Sequence, residues 1–212
     1  MYYNIDIVGY FKFMNQKNNN VLIVVARYNE DISWTKQFDN VVIYNKGDEL
    51  VGYDNVIKLD NVGREPHTYY KHIYDNYDNL NEYTIFLQGD PHYHVRGKDI
   101  APHINPYVKS QDLNIDFKFF GTIVNSKIEQ CPHHERLRMV DLYEKIFGKR
   151  VEKADLKFGV GAQFIVSRKK ITQHPKEFYL NIFNILSYSI APIEAWQIER
   201  LHDCIFNGLE IY

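Results

Sequence analysis

At 212 residues the chain has the length of one domain, or of one domain with an appendage, and a 45% hydrophobic share is enough for a real core. With 25 basic against 27 acidic residues the formal net charge is -2, so nothing in the charge balance points to nucleic acid or an acidic polymer as partner. Two cysteines, Cys131 and Cys204, exclude a disulfide framework and a four-cysteine zinc site and suit a reducing compartment.

The first 13 residues, "MYYNIDIVGYFKF", lack the basic and long apolar regions of a signal peptide. The polar cluster "NQKNNN" (15–20) then reads as a turn. "VLIVVA" (21–26) is a continuous β-branched run, the pattern of a strand buried on both faces. "RYNEDISW" reads as a loop entering a short helix, with Asn29, Asp31 or Ser33 as its cap. "NVVIYNKG" (40–47) and "NVIKLD" (55–60) read as the second and third strands. Over 64–80, Tyr70, Ile73, Tyr74 and Tyr77 recur at helical spacing, with Pro66 placed for the first turn. "YTIFLQ" (83–88) is the fourth strand, and 91–116 reads as a long loop with some helix. A strand over 117–124, an amphipathic helix over 135–148 ended by Gly148, a strand over 162–167 and two C-terminal helices complete the pattern. No apolar run approaches the roughly 20 residues of a membrane span.

Strands alternating with helices at this spacing predict an α/β fold around a mainly parallel sheet of about six strands flanked by helices. Ligands of such sheets bind outside the carboxyl ends of the strands. Both "ARYNED" and "QGDPHYH" fall there. Asp90, at a strand tip just after Gly89, is a carboxylate of the type that Mg²⁺ or Mn²⁺ prefers; the competing reading is a turn Asp before Pro91. His92 and His94 share a face with Asp90 only if the chain stays extended past Pro91, so water-exposed loop histidines are the simpler reading. "CPHH" (131–134) has too few cysteines behind it for zinc. Gly63, Arg64 and Glu65 either receive a diphosphate on backbone N–H groups and the guanidinium, or make a helix cap with a surface ion pair. "FGVGAQF" (158–164) places two glycines before a strand, where a sugar could lie on the backbone or the chain could simply turn. Glu194, Glu199 and His202 share one predicted helix, with Glu199 and His202 three apart and therefore neighbours.

Taken in order, these blocks resemble the family 2 nucleotide-sugar glycosyltransferases. "VLIVVARYNED" is similar to their opening strand and Tyr-Asn-Glu loop, matched at Tyr28, Asn29 and Glu30. The segment 61–90 resembles their glycine-containing segment, helix and Asp-x-Asp strand, with Gly63 and Asp90 in the matching places. Closer in wording is an uncharacterised family with blocks like "VVARYNED", "NVGRE" and "FLQGDP". The resemblance implies one GT-A-like domain over 1–212, either the whole protein or one domain of a longer polypeptide. It implies a nucleoside-diphosphate sugar such as a UDP-sugar at Ala26, Arg27, Tyr28, Glu30, Gly63, Arg64, Gln88 and Gly161. It further implies Mn²⁺ or Mg²⁺ at Asp90 and His202, and Glu194 or Glu199 as catalytic carboxylate, with Glu194 preferred as base and Glu199 supporting His202. The chain departs from the family at the first Asp of Asp-x-Asp, which is Gln88.

The expectation is therefore a cytoplasmic glycosyltransferase, divalent-metal dependent, moving a sugar from a nucleoside-diphosphate donor to a glycan, protein or small-molecule acceptor, with no nucleic acid partner and no transmembrane segment. Two rivals stand beside it: a metal-dependent hydrolase on Asp90, His92 and His94, and a non-catalytic nucleotide- or carbohydrate-binding module.

Overall fold

The computed structural model describes residues 20–110, 112–131, 134 and 136–209. The expected first segment and most of the turn at 15–20 lie outside the described residues, as do Pro132 and His133 of "CPHH" and Glu135 at the expected helix start. Six strands form the central sheet: β1 (Val21–Arg27), β2 (Val41–Asn45), β3 (Val56–Lys58), β4 (Tyr83–Gln88), β5 (Phe117–Phe119) and β8 (Phe164–Ser167). Their spatial order is β3-β2-β1-β4-β8-β5. β1 runs parallel to β2 and β4, and β2 parallel to β3, while β8 is antiparallel to both β4 and β5. The sheet is thus mixed and mostly parallel, as expected in class and strand number. β6 (Ile123–Lys127) and β7 (Asp155–Gly159) pair antiparallel in a separate ribbon.

Side-chain alternation sorts the sheet into two faces. Val24, Ala26, Tyr44, Phe86, Phe164 and Val166 pack beneath helices α1 (Arg64–Asn76), α5 (Lys176–Leu186) and α6 (Ile193–Asn207). Val21, Ile23, Val25, Ile43, Ile85, Leu87 and Ile165 face the other way, under Ile32, Val95 and helix α2 (Ala101–Val108). Because both faces are covered, the strands carry continuous apolar runs, Val21 to Ala26 in β1 and Ile85 to Leu87 in β4. Helix α3 (Met139–Phe147) stops at Gly148, which at φ +67 takes the left-handed position and donates its N–H to Glu144 O at 2.8 Å. A short helix, α4 (Arg168–Ile171), follows β8. The expected helix after "RYNED" is a 3₁₀ turn, Ser33–Gln37, entered through Asp31, whose Oδ1 accepts from Ser33 N at 2.8 Å.

The expected strand over 117–124 is two strands. It breaks at Gly121, where a Cβ would lie 2.2 Å from Val160 O, so β5 stays in the sheet and β6 leaves to meet β7. Among the described residues no helix is long and apolar enough to cross a membrane.

Candidate functional site

Three strand tips meet at the carboxyl edge of the sheet. The segment after β1 lies so close to the neighbouring tips that a Cβ on Gly47 would stand 1.7 Å from Tyr28 O, and one on Gly89 would stand 2.4 Å from Glu30 Oε2. Arg27 fixes this crossing: Nε donates to Glu30 O, and Nη1 to Tyr28 O and to Asn45 Oδ1 at 2.6 Å. Glu30 Oε2 accepts from Tyr28 N at 2.7 Å. Tyr28, half exposed, is left projecting.

Beside these tips a cleft opens in two halves. The outer half, about 440 Å³, is lined by Ala26, Arg27, Tyr28, Glu30, Lys46, Asn61, Arg64, Glu65, Ile190 and Ala191. The inner half, about 360 Å³, includes Gln88, His94, Gly161, Trp196, Glu199 and Arg200. Arg64 and Glu65 line both halves and stand between them.

Arg64 opens helix α1 in an unusual way. Gly63 (φ +65) and Arg64 (φ +51) are both left-handed, a conformation that costs a non-glycine residue about 1–2 kcal/mol. Gly63 has no room for a side chain, since a Cβ would meet His67 Cβ at 2.5 Å and Leu186 O at 2.6 Å. The helix N-cap makes no side-chain hydrogen bond. Lys46 braces the segment, donating from Nζ to Val62 O and Arg64 O, both at 2.6 Å. Burial pulls its ammonium down to about 8, against the opposing pull of Glu65. Arg64 itself pairs with Glu65 at 3.5 Å and lies over the Trp196 ring.

In the inner half the turn between β7 and β8 is pinned from two sides. Gln88 Nε2 donates to Gly161 O at 2.7 Å, and Gly161 N donates to Glu199 Oε1 at 2.8 Å. Arg200, buried, donates to Cys131 Sγ, Trp196 O and, at 3.4 Å, Glu199 Oε2. The hydroxyl of Tyr69 is fully buried without a partner among the described residues, and burial, Glu65 and Glu199 all hold it protonated.

The structure thus brings Ala26, Arg27, Tyr28, Glu30, Arg64, Gln88, Gly161 and Glu199 to one cleft. It does not bring the other four there. Gly63 is packed behind it, its N–H donating to Ser189 O at 2.9 Å. Glu194 faces a separate depression with Arg136, Arg138 and Gln197, where its Oε2 accepts from Tyr188 OH at 2.6 Å. Asp90 is exposed at the tip of β4, its Oδ1 accepting from His92 N at 3.2 Å. His202 has no exposed surface: Nδ1 bonds Tyr70 OH at 2.9 Å, and the ring packs on Phe164. Among the described residues no three His, Cys, Asp or Glu side chains converge as metal ligands. Mn²⁺ and Mg²⁺ take about six ligands, so Asp90 alone does not fit a site made by the protein. Sequence reasoning missed Lys46 and Trp196 as cleft residues. A lysine directly after a buried strand at a ligand-bearing edge was the available signal for Lys46.

A family model described as a protein of unknown function (DUF3431) matches residues 22–115, which carry β1 through α2, the tip of β4 and the outer-half lining from Ala26 to Glu65, though not Ile190 and Ala191. No curated protein and no solved structure matches the chain. Over residues 22–115 the chain is therefore similar to this family of unknown function.

Proposed function

We propose that this protein is a GT-A-like glycosyltransferase whose outer cleft half binds a nucleoside-diphosphate sugar and whose inner half holds the acceptor hydroxyl. The observation that carries the reading is Arg64, held in a left-handed conformation at the start of α1 and lining both halves at the carboxyl edge of a mostly parallel sheet. A departing diphosphate needs fixed positive charge. Arg64 and Lys46, which both line the outer half, supply it. Tyr28 offers its exposed ring to the base. On the inner side Glu199 takes the proton of the acceptor hydroxyl; the acceptor oxygen bonds to the anomeric carbon as the bond to the diphosphate breaks, with inversion.

Calorimetry with UDP, GDP and their sugars, beside a product assay, tests the reading. Binding with turnover supports it. Binding without turnover, for any acceptor tried, identifies the binding-module rival. Release of free sugar without transfer identifies a hydrolase.

A further inference from the structure

The inner cleft half contains a relay of contacts that ties the tip of β4 to the carboxylate on α6. Glu199 Oε1 accepts from Gly161 N at 2.8 Å, and Arg200 Nη1 reaches Oε2 only at 3.4 Å, beyond the usual N–H···O range. The Gly161 N–H is therefore the principal contact that orients this carboxylate. The Gly161 peptide is in turn not held by regular pairing. It sits in the turn between β7 and β8, at φ +88, followed by Ala162 at φ +52. A side chain at Gly161 would strike His94, its Cβ lying 2.6 Å from His94 Cδ2. A left-handed alanine persists only where its surroundings over-determine it. Val160 N on Thr122 O, at 2.9 Å, holds the start of the turn, and from the tip of β4 the Gln88 amide holds Gly161 O, at 2.7 Å.

We infer that Gln88 is a positioning residue for Glu199: its amide fixes the Gly161 peptide, and the Gly161 N–H fixes the carboxylate that accepts the acceptor's proton. The inference rests on the transfer reading above for the role of Glu199, while the physical link stands on its own. It reassigns Gln88, which the resemblance sets among the residues that bind the nucleoside-diphosphate sugar. Its Nε2 is instead committed to backbone on the acceptor side, with the residue pairing in register with Ala26 of β1. Glutamine suits this use better than the aspartate it replaces, because an ionised carboxylate donates no hydrogen bond to a carbonyl.

Two arms test the inference with the full chain and Gln88→Met, which keeps length and removes the amide, and with Gln88→Glu, which cannot donate when ionised. The first arm is independent of activity. In both variants the Gly161 amide should exchange with solvent at least tenfold faster, and the side-chain carboxyl resonance of Glu199 should move; an unchanged Gly161 amide overturns the link. The second arm is kinetic. Gln88→Met should lower kcat at least tenfold with UDP affinity kept within twofold, and in a Glu199→Gln background it should cause no further loss. Loss of UDP affinity with kcat intact would make Gln88 a donor ligand, and independent losses that multiply would place its action elsewhere; either result overturns the inference. If the wild-type chain transfers no sugar, the transfer reading falls while the first arm still decides whether Gln88 positions Glu199.

Discussion

The Arg64 guanidinium lies over the Trp196 ring, 4.8 Å from its centroid, and so joins the start of α1 to the first turns of α6 across the floor of the cleft. This contact helps hold a left-handed arginine whose conformation glycine would adopt without strain. Relief of about 1–2 kcal/mol is set against about 0.5–1 kcal/mol of extra chain entropy and the lost contact with Trp196. Arg64→Gly is therefore expected to melt no lower than wild type, yet to bind UDP at least tenfold more weakly by calorimetry. A melting temperature several degrees lower with UDP affinity retained would show that Arg64 serves the fold rather than a ligand.

Glu199 and Glu194 separate cleanly in space. Glu199 lines the inner cleft half, whereas Glu194 bonds Tyr188 on another surface. On the transfer reading proposed above, the role of base falls to Glu199, which lines the cleft, rather than to Glu194, which does not. Glu199→Gln should reduce transfer by about 10²–10⁴-fold, the usual contribution of a positioned proton acceptor. Glu194→Gln should leave turnover within about twofold. A product assay on both variants decides, and the reverse ranking would restore Glu194.

Much of the sheet was legible because its signals are local. β1 and β4 end one residue past their apolar runs, at Arg27 and Gln88, since burial on both faces keeps their interiors almost wholly apolar. β7 was missed although Leu156 and Phe158 are buried and Asp155 and Lys157 exposed, an alternation visible in the sequence. Its glycines at 159 and 161 drew the reading toward a turn, which the chain does make, but after a strand. In the outer half Ala26, Arg27, Tyr28 and Glu30 were legible for the same reason as the strands, because they end β1 or follow it directly. The inner half was not. Gln88 and Gly161 are 73 residues apart, and Gly161 and Glu199 are 38 apart, so their hydrogen bonds depend on how β7, β8 and α6 pack rather than on any local pattern. Trp196 and Arg200 carry no local signal of a cleft role, which comes only from the packing of α6 against Arg64 and Phe158.

The donor set around Asp90 sets the expected metal response. One exposed carboxylate, already accepting from His92 N, gives Mn²⁺ too few ligands unless diphosphate oxygens complete the shell. Mn²⁺ alone should leave the melting temperature unchanged, while Mn²⁺ added with UDP should raise it beyond UDP alone. Asp90→Asn should remove that increment and leave the UDP-only shift in place. A shift with Mn²⁺ alone, lost in His92→Ala and His94→Ala, would instead support the hydrolase rival.

His202 supplies a prediction about acid stability that also separates a core histidine from a metal ligand. Burial pulls its imidazole down from 6.5 to about 3, and among the described residues no carboxylate opposes that pull. The folded chain therefore keeps it neutral while the unfolded chain protonates it near 6.5. Below that value the unfolded state binds more protons, so the stability tied to a neutral His202 is fully present above about pH 6.5 and is lost as the pH falls toward 3. By pH 5 the loss from this one group is on the order of 2 kcal/mol. His67 and His72, pulled down to about 3 and about 4 chiefly by burial, act in the same direction. In His202→Gln their contribution remains and that of residue 202 disappears. Urea unfolding of wild type and His202→Gln at pH 7.5 and pH 5.0 should show the variant less stable at pH 7.5, because packing on Phe164 and the bond to Tyr70 are disturbed. The gap between the two proteins should then narrow by about 2 kcal/mol at pH 5.0. A constant gap would mean that His202 does not titrate this way, and a fall in wild-type stability on adding EDTA at pH 7.5, absent in His202→Gln, would make it a metal ligand after all.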